Sequence, residues 1–546
     1  MASIYDVGTS ALTSMQRAIA TTGHNIANVN TEGYSRQEVL LGTRSPEKVG
    51  QVEIGTGVEV SNIRRAHDSF LMRDVQTRSG SNGYFQLYAE TAQSVDGLLA
   101  DPSTGIAPAM NKFFAAMEAV AANPSSAPER QVLLSEAQML TQRFNYVDTR
   151  LSEFAGQLNT RMANMTDDIN ALATDIAQLN ESIVALNTES RGAPNDLLDR
   201  RDQAITDLSK LIGVQTTKQD NGAINVMIGK SQRLVIGNSA EQLRMTLPAA
   251  QDGPSRLYLS VPSGAESEVT SKLTGGELGG ALDAGAKLIN KARREVGLLA
   301  IGITETFNRQ HSQGSDLNGD QGEAFFQNLD AAVTGSRDNS GLVAVTANIT
   351  QEQNLTGDGY SLRYEEAGIR LTNLSSGDSQ LVDAGVLELP GLSITIPQQE
   401  ADGVVGDMFF IEPTLGAASS MTVALTDPSK IAAANQGSAV GDNRNMLSLI
   451  ELRDVKTLKD GAQSYTSLYG STLSSVAVET RSAISNAETE QSLLRSAEDR
   501  LDGLRGVNLD EEATNLIRYQ QAYQAAAQVI SVANDIFDTL LMASRR

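Results

Sequence analysis

From Leu133 to Leu186 an apolar residue returns every three or four positions without interruption, through Ala137, Leu140, Phe144, Val147, Leu151, Phe154, Leu158, Met162, Met165, Ile169, Leu172, Ile176, Leu179 and Ile183. That spacing is a heptad seam and predicts one very long helix. A stripe of such length cannot stay in water, so partner helices must lie alongside it. Arg191-Gly192-Ala193-Pro194 breaks the pattern, and a second helix from Asn195 to Ile212 is expected to return the chain. A complementary helix is expected from about Ala462 to Leu504, with Tyr465, Tyr469, Leu473, Val476, Ile484, Ala487, Leu494 and Leu501 at compatible spacing. Helices distant in sequence are thus expected to share one bundle.

Between these segments the period changes to two. Ile224/Val226/Ile228, Leu257/Leu259/Val261, Leu392/Ile394/Ile396 and Met421/Val423/Leu425 alternate with other residues between Gly, Asn, Asp and Ser turns, which reads as strands. A helical stretch from Gly280 to Phe307 interrupts them. The expected partition is 1–35 with 506–546 as paired terminal helices, 36–215 with 274–330 and 428–505 as a helical bundle, 216–273 as a small β-rich segment and 331–427 as a β-rich domain. Several cores are required at 546 residues, because a single core stops growing at roughly 250 to 300.

Both ends carry seams of their own. Tyr5, Leu12, Ile19 and Ile26 are seven apart, accompanied by Met15 and Val29. Leu509, Leu516, Tyr523, Ile530 and Phe537 are likewise seven apart, with Tyr519, Ala526, Ala533 and Leu540 filling the other seam position. The candidate assembly interface is therefore Leu12, Met15, Ile19 and Ile26 at one end, and Leu509, Leu516, Tyr523, Ile530, Phe537 and Leu540 at the other. Periodicity alone does not separate an assembly seam from helices that complete an ordinary core. Each end joins the body through breaks containing Gly and Asn and has little chain nearby to cover it. Amphipathic helices take most of their stability from packing, so these ends are expected to order on assembly.

The 66 acidic residues against 43 basic ones give a formal charge of -23, which repels phosphate backbones and anionic lipid. Nucleic acid is not an expected partner. No apolar run reaches the ~18 residues of a membrane span, and the opening MASIYDVGTS lacks the basic and apolar regions of a cleaved signal. Neither membrane insertion nor signal cleavage is expected. Cysteine is absent, which excludes disulfides and thiolate metal sites.

Asp316, Asn318 and Asp320 open like a calcium loop, but Gln321 stands at its sixth position and Gln327 at its twelfth. A polar turn bonding its own backbone is expected instead. His24, His67 and His311 include no pair four apart that would place two imidazoles on one helical face. His311, near Ser312 and Asp316, is expected to be a structural hydrogen-bonder. Gly275-Gly276-Glu277-Leu278-Gly279-Gly280 lacks the Lys and Ser/Thr of a phosphate loop and reads as a hinge. No catalytic residue, cofactor or metal is expected.

The run from His24-Asn25-Ile26-Ala27-Asn28 through Gly33-Tyr34-Ser35-Arg36-Gln37 resembles the signature of bacterial flagellar rod, hook and hook-associated proteins, where Asn is common at the place of His24. Gly506-Val507-Asn508-Leu509-Asp510-Glu511-Glu512, Tyr519-Gln520-Gln521-Ala522-Tyr523 and Ala533-Asn534-Asp535-Ile536-Phe537-Asp538 are similar to hook-associated proteins of the hook–filament junction. So are Pro194-Asn195-Asp196-Leu197-Leu198-Asp199, Phe307-Asn308-Arg309-Gln310-His311 and Gly441-Asp442-Asn443-Arg444-Asn445.

The resemblance implies a multidomain α plus β protein with terminal coiled-coil helices, a long helical bundle, and β-rich outer domains inserted between the bundle halves. It implies a structural subunit of the flagellum that joins hook to filament as a ring of copies, with terminal helices lining the inner tube. Implied partners are other copies, hook protein, the second hook–filament junction protein, and an export chaperone on the C-terminal helix. Extracellular location through the flagellar type III apparatus follows from the same likeness. Two other readings stand beside it. One is a different axial subunit of the flagellum, and the other is a secreted cell-wall hydrolase on a helical scaffold, whose carboxylate separation no sequence reveals.

Overall fold

The computed structural model describes residues 4–49, 52–186, 193–246, 255–260, 264, 266–336, 339–341, 343–397 and 405–544. Its longer helices are α1 (Ile4–Ala27), α2 (Ser69–Ala100), α3 (Ile106–Ala122), α4 (Ala127–Leu186), α5 (Asn195–Leu211), α6 (Gly276–Ala284), α7 (Asn290–His311), α8 (Arg444–Glu451), α9 (Tyr465–Arg505) and α10 (Leu509–Ser544). The long seam is α4, one helix of 60 residues, about 90 Å at 1.5 Å per residue. Leu133, Leu140, Phe144, Val147, Leu151, Ile169 and Ile176 are fully enclosed. Phe154 and Leu172 are half-buried, and Leu186 is exposed. The break at Arg191 and Gly192 lies outside the described residues, and α5 follows it at Asn195.

Two helices were not expected individually, and the first of them carries no clear apolar stripe. α2 packs against α5, α6 and α9, so Ser79, Gly80, Asn82, Gly83, Leu87 and Ala92 are buried on more than one side. A helix enclosed from several directions loses the periodicity by which amphipathic helices are recognised. Its start is set by Asp68, whose Oδ1 accepts from the N–H groups of Phe70 (2.7 Å) and Leu71 (3.2 Å). α3 lies against α4 and contributes Phe113 and Phe114 to a ring cluster with Phe307, Phe325 and Phe326. The ring spacings of 4.9 to 6.3 Å among these five are those of tilted and edge-on packing.

The glycines at 275–280 make a close contact and not a hinge. Gly275 and Gly276 have φ of 74° and 64°. A Cβ at Gly276 would stand 2.3 Å from the Ile212 nitrogen, and one at Gly280 would stand 2.5 Å from the Tyr84 carbonyl oxygen. The turn is locked by backbone on both sides. From α6 the chain runs through one π turn, Gly285–Ile289, into α7.

Between α1 and α2 a long antiparallel ribbon replaces helix: β1 (Gln37–Thr43) pairs with β4 (Val58–Arg65), and β2 (Glu47–Val49) with β3 (Val52–Ile54) at its tip. The four strands of this ribbon, placed with the bundle from sequence, are therefore β structure. Their alternation is weak because both ribbon faces are only half-covered.

β5 (Val214–Lys218), β6 (Ile224–Ile228), β7 (Gln232–Ile236) and β8 (Ser239–Ala240) form one small sheet in that order, and β9 (Gln242–Thr246), β10 (Arg256–Ser260) and β11 (Glu266–Glu268) form another. Two asparagines of α4 dock them. Asn180 donates to the carbonyls of Ile224 and Gly237 and accepts from the Ile224 N–H, while Asn170 exchanges two 2.8 Å bonds with Leu243.

β12 (Gly314–Ser315) meets β21 (Ala434–Asn435) where the chain leaves and re-enters the bundle. Between them, β13 (Ala332–Gly335), β14 (Thr346–Ile349), β15 (Tyr360–Glu365), β16 (Gly368–Asn373), β17 (Ser379–Val382), β18 (Gly385–Leu389), β19 (Leu392–Ile396) and β20 (Met408–Glu412) make a five-stranded sheet, 13-20-15-16-17, and a three-stranded one, 14-19-18. One of the expected strands needs correction. Val261 lies outside the described residues, and Met421 to Leu425 forms no strand. The latter stretch is extended chain bound to Phe325 and Gln327, with a single bridge between Val423 and Phe326. Met421 and Leu425 alternate because one side faces the core, a requirement that extended chain meets without a sheet.

Candidate assembly interface

α1 and α10 lie side by side, so the two ends of the chain do form one pair. The enclosed face of α1, which also meets the ribbon, is lined by small and polar residues. On α1 the buried positions are Gly8, Ser14, Ala18, Thr21, Thr22 and Asn25, and on α10 the described buried side chains are Glu512 and Ala526. A Cβ on Gly8 would come within 2.6 Å of Ile530 Cγ1, so glycine permits the approach. Ser10 and Ser14, one turn apart, hold Val58 of β4: Ser10 Oγ accepts its N–H and Ser14 Oγ donates to its carbonyl, each at 3.3 Å. Glycine at position 8 lets Ile530 and the Ala526 backbone come close.

Leu12, Met15, Ile19, Ile26, Leu516 and Ile530 are half-buried. Leu509, Tyr523 and Phe537 remain 50%, 39% and 63% exposed, and the side chain of Leu540 lies outside the described residues. Further apolar side chains stand open beside them, including Ile4, Tyr5, Ile517, Val532 and Ile536, with Met542 reaching 73% exposure.

At its base the pair is tied to the body by polar residues. Asn25, 1% exposed, uses all four amide positions. It donates to the Gln37 carbonyl (2.9 Å) and Glu512 Oε2 (3.2 Å), and accepts from Tyr34 Oη (2.7 Å) and the Gln37 N–H (2.9 Å). Arg36 Nε donates to Glu512 Oε1 at 2.8 Å, and its Nη1 lies 3.0 Å from Glu511 Oε2. The Ser35 N–H donates to Asp199 Oδ2 of α5 at 2.9 Å, and Arg65 Nη1 reaches Asp199 and Asp202, each at 2.7 Å. Gln37 Nε2 donates to Asp196.

Burial, with Asp196, Asp199 and Glu512 nearby, pushes the Tyr34 phenol well above its usual range and keeps it a neutral donor. Burial and then the Arg65 guanidinium lower the His67 imidazole below its ordinary value. Asp148, Asp199, Asp202, Glu412 and Glu512 each hold a guanidinium, an arrangement that fixes elements in place.

Asn25, Arg36, Asp199 and Glu512 were absent from the candidate interface because apolar periodicity scores no polar side chain. They sit inside the three quoted runs, Asn25 to Gln37, Pro194 to Asp199 and Gly506 to Glu512, which fold onto one another here.

Comparison with known proteins fits this arrangement. The family model described as flagellar hook-associated protein FlgK helical domain matches residues 92–326. The two ends match separately, 6–34 to flagella basal body rod protein and 505–542 to flagellar basal body rod FlgEFG protein C-terminal. The flagellar hook-associated protein 1 of Escherichia coli (strain K12) is 32% identical, covering 99% of this chain and 100% of that protein.

The chain belongs to the flagellar hook-associated protein 1 family.

The Salmonella typhimurium member is 30% identical over the same 99% and 100%. The solved structure of the flagellar hook junction protein FlgK from Burkholderia pseudomallei shares the fold, with a TM-score of 0.69 at 20% identity, covering 78% of this chain and 98% of that one. As a member of the hook-associated protein 1 family, the chain is a structural protein of the flagellum at the hook–filament junction. Its family associates with the other axial proteins of that organelle.

Proposed function

We propose that the chain works as one copy in a ring, in which the α1–α10 pairs of neighbouring copies pack into an inner layer. The observation carrying this is the apolar surface left open on the pair, from Leu509 to Met542. Contiguous exposed apolar surface marks an interaction site, and covering each such side chain completely contributes roughly 1.5 to 3 kcal/mol. The seam Leu12, Met15, Ile19, Ile26, Leu509, Leu516, Tyr523, Ile530, Phe537 and Leu540 then serves contact between copies as much as contact within one.

In this reading the bundle is the wall of the tube and the sheets of β13–β20 face outward. Hook protein meets one end of the ring and the second hook–filament junction protein meets the other. α10 is held by an export chaperone before the chain leaves unfolded through the flagellar export apparatus for an extracellular position. The work is mechanical and not catalytic.

Ile530→Asp and Phe537→Asp test the reading together. Ile530 packs over Gly8, whereas Phe537 is open in the single copy, so the second change leaves the free chain's stability within about 0.5 kcal/mol. Both variants are expected to keep a folded bundle by circular dichroism and to be missing from the hook–filament boundary in labelled electron micrographs. Normal placement of both at that boundary would sink the proposed inner layer.

A further inference from the structure

We infer that Arg36 is the positioning residue that fixes the angle between the terminal helix pair and the bundle. The consequence for assembly rests on the function proposed above, but the geometry stands without it. Between α9 and α10 only Gly506-Val507-Asn508 intervenes, and the hydrogen bonds of each helix stop there. The Gly506 N–H turns back to the Asp502 carbonyl, and the Glu512 N–H bonds the carbonyl of Asn508, which caps α10. Gly506 is held against α9 so closely that a Cβ would stand 2.5 Å from the Asp502 carbonyl oxygen. The few backbone dihedrals of such a break do not set an angle, so side chains must.

Arg36 spans the break from the other side. Its N–H donates to the Arg505 carbonyl at the end of α9 (2.9 Å), and its carbonyl accepts from the Ala66 N–H ahead of α2 (2.8 Å). Its guanidinium crosses to Glu511 and Glu512 in the first turn of α10. Its neighbour Ser35 is bound to α5 through Asp199, which Arg65 holds in turn. One residue thus joins the bundle by its backbone and the terminal pair by its side chain.

Glu512 is only 2% exposed. Without the guanidinium its carboxylate would keep Asn25 alone and would be driven toward water, carrying the first turn of α10 with it. Asn25 still holds α1 to Gln37, so the pair would pivot without detaching.

The chain has no cysteine, so Ser482→Cys on α9 and Gln524→Cys on α10, both exposed, accept a pair of spin labels cleanly. Pulsed electron resonance on the labelled full-length monomer is expected to give one narrow distance distribution. Arg36→Gln and Glu512→Gln should each widen it by at least about twofold, as expected of a released hinge, with helix content unchanged. Arg64→Gln, which breaks the exposed pair with Glu38 on the same ribbon, should leave the width as it was. A width unchanged in both Arg36→Gln and Glu512→Gln overturns the inference, as does equal widening in Arg64→Gln. If Arg36→Gln fails to fold, Glu512→Gln decides alone. Because the distances are read on monomer, they are independent of the ring, whose own failure would show as loss of the unmodified chain from the hook–filament boundary.

Discussion

His311 is fully enclosed and neutral: its Nδ1 donates to the Glu323 carbonyl at 2.7 Å while its Nε2 accepts from the Ala432 N–H at 2.9 Å. Burial, offset in part by the Glu323 hydrogen bond and reinforced by nearby Arg130, lowers its pKa from 6.5 to about 4. The folded value lies below the unfolded one, so the unfolded chain binds the extra proton between those two pH values. The stabilisation is complete above pH 6.5 and is lost as pH falls toward 4, by roughly 3 kcal/mol at 1.36 kcal/mol per pKa unit. Gln can keep both bonds and does not titrate. Urea unfolding at pH 7.5 and pH 4 should show the parent losing about that much more than His311→Gln; equal losses would refute it. Asp316, the opening of the calcium-like run, bonds the N–H groups of Asn318 (2.8 Å) and Asp320 (2.9 Å), as its turn reading anticipated. That turn was legible because its bonds are local. The partners of His311 were not, since Ala432 lies at the far end of the β insertion.

Elements of this protein are held apart or together by single atoms at their crossing points. Gly297 of α7 faces the 414 segment, where a Cβ would stand 1.8 Å from the Thr414 carbonyl oxygen. Gly297→Ala gains ~1 kcal/mol of helix propensity. Against it stands overpacking of about 1 to 3 kcal/mol or more, toward the upper end because the obstacle is backbone. A net loss of about 2 kcal/mol in urea unfolding is expected, and a variant as stable as the parent would contradict the close crossing. α4 and α9 could be read from sequence because each presents one apolar stripe. α2 could not, since α5, α6 and α9 surround it and its glycines answer to the backbones of Ser209 and Lys210.

Across the whole molecule, burial is graded from the bundle toward the tip of the terminal pair. The α4 seam from Leu133 to Ile183 is enclosed except at half-buried Phe154 and Leu172, Asn25 and Glu512 are enclosed at the base, and described side chains from Val532 to Met542 are largely open. Opening free energies follow burial and contact, so the tip of α10 belongs to the low end. Amides beyond Val529 in the isolated monomer should exchange fastest among the helices, those of α4 slowest, and the tip should become protected in the assembled flagellum. Uniform protection along α10 in a verified monomer would count against a surface that waits for other copies. The ordering on assembly expected of both ends is thereby narrowed to their outer parts, since the base is tied through Asn25 and Arg36.

Sequence by itself determined the long helices, the β insertions and the existence of two seamed ends, because apolar period and turn residues are local properties of the chain. It also carried the three polar runs, though not their purpose. Only the tertiary structure decided that the ends lie side by side, with Gly8 packed against Ile530 and the Ala526 carbonyl. It likewise decided that Arg36 faces Glu512 and that Ser35 faces Asp199. Those pairs are separated by 476 and 164 positions, and a polar side chain that bonds across such a distance leaves no periodic mark in the sequence.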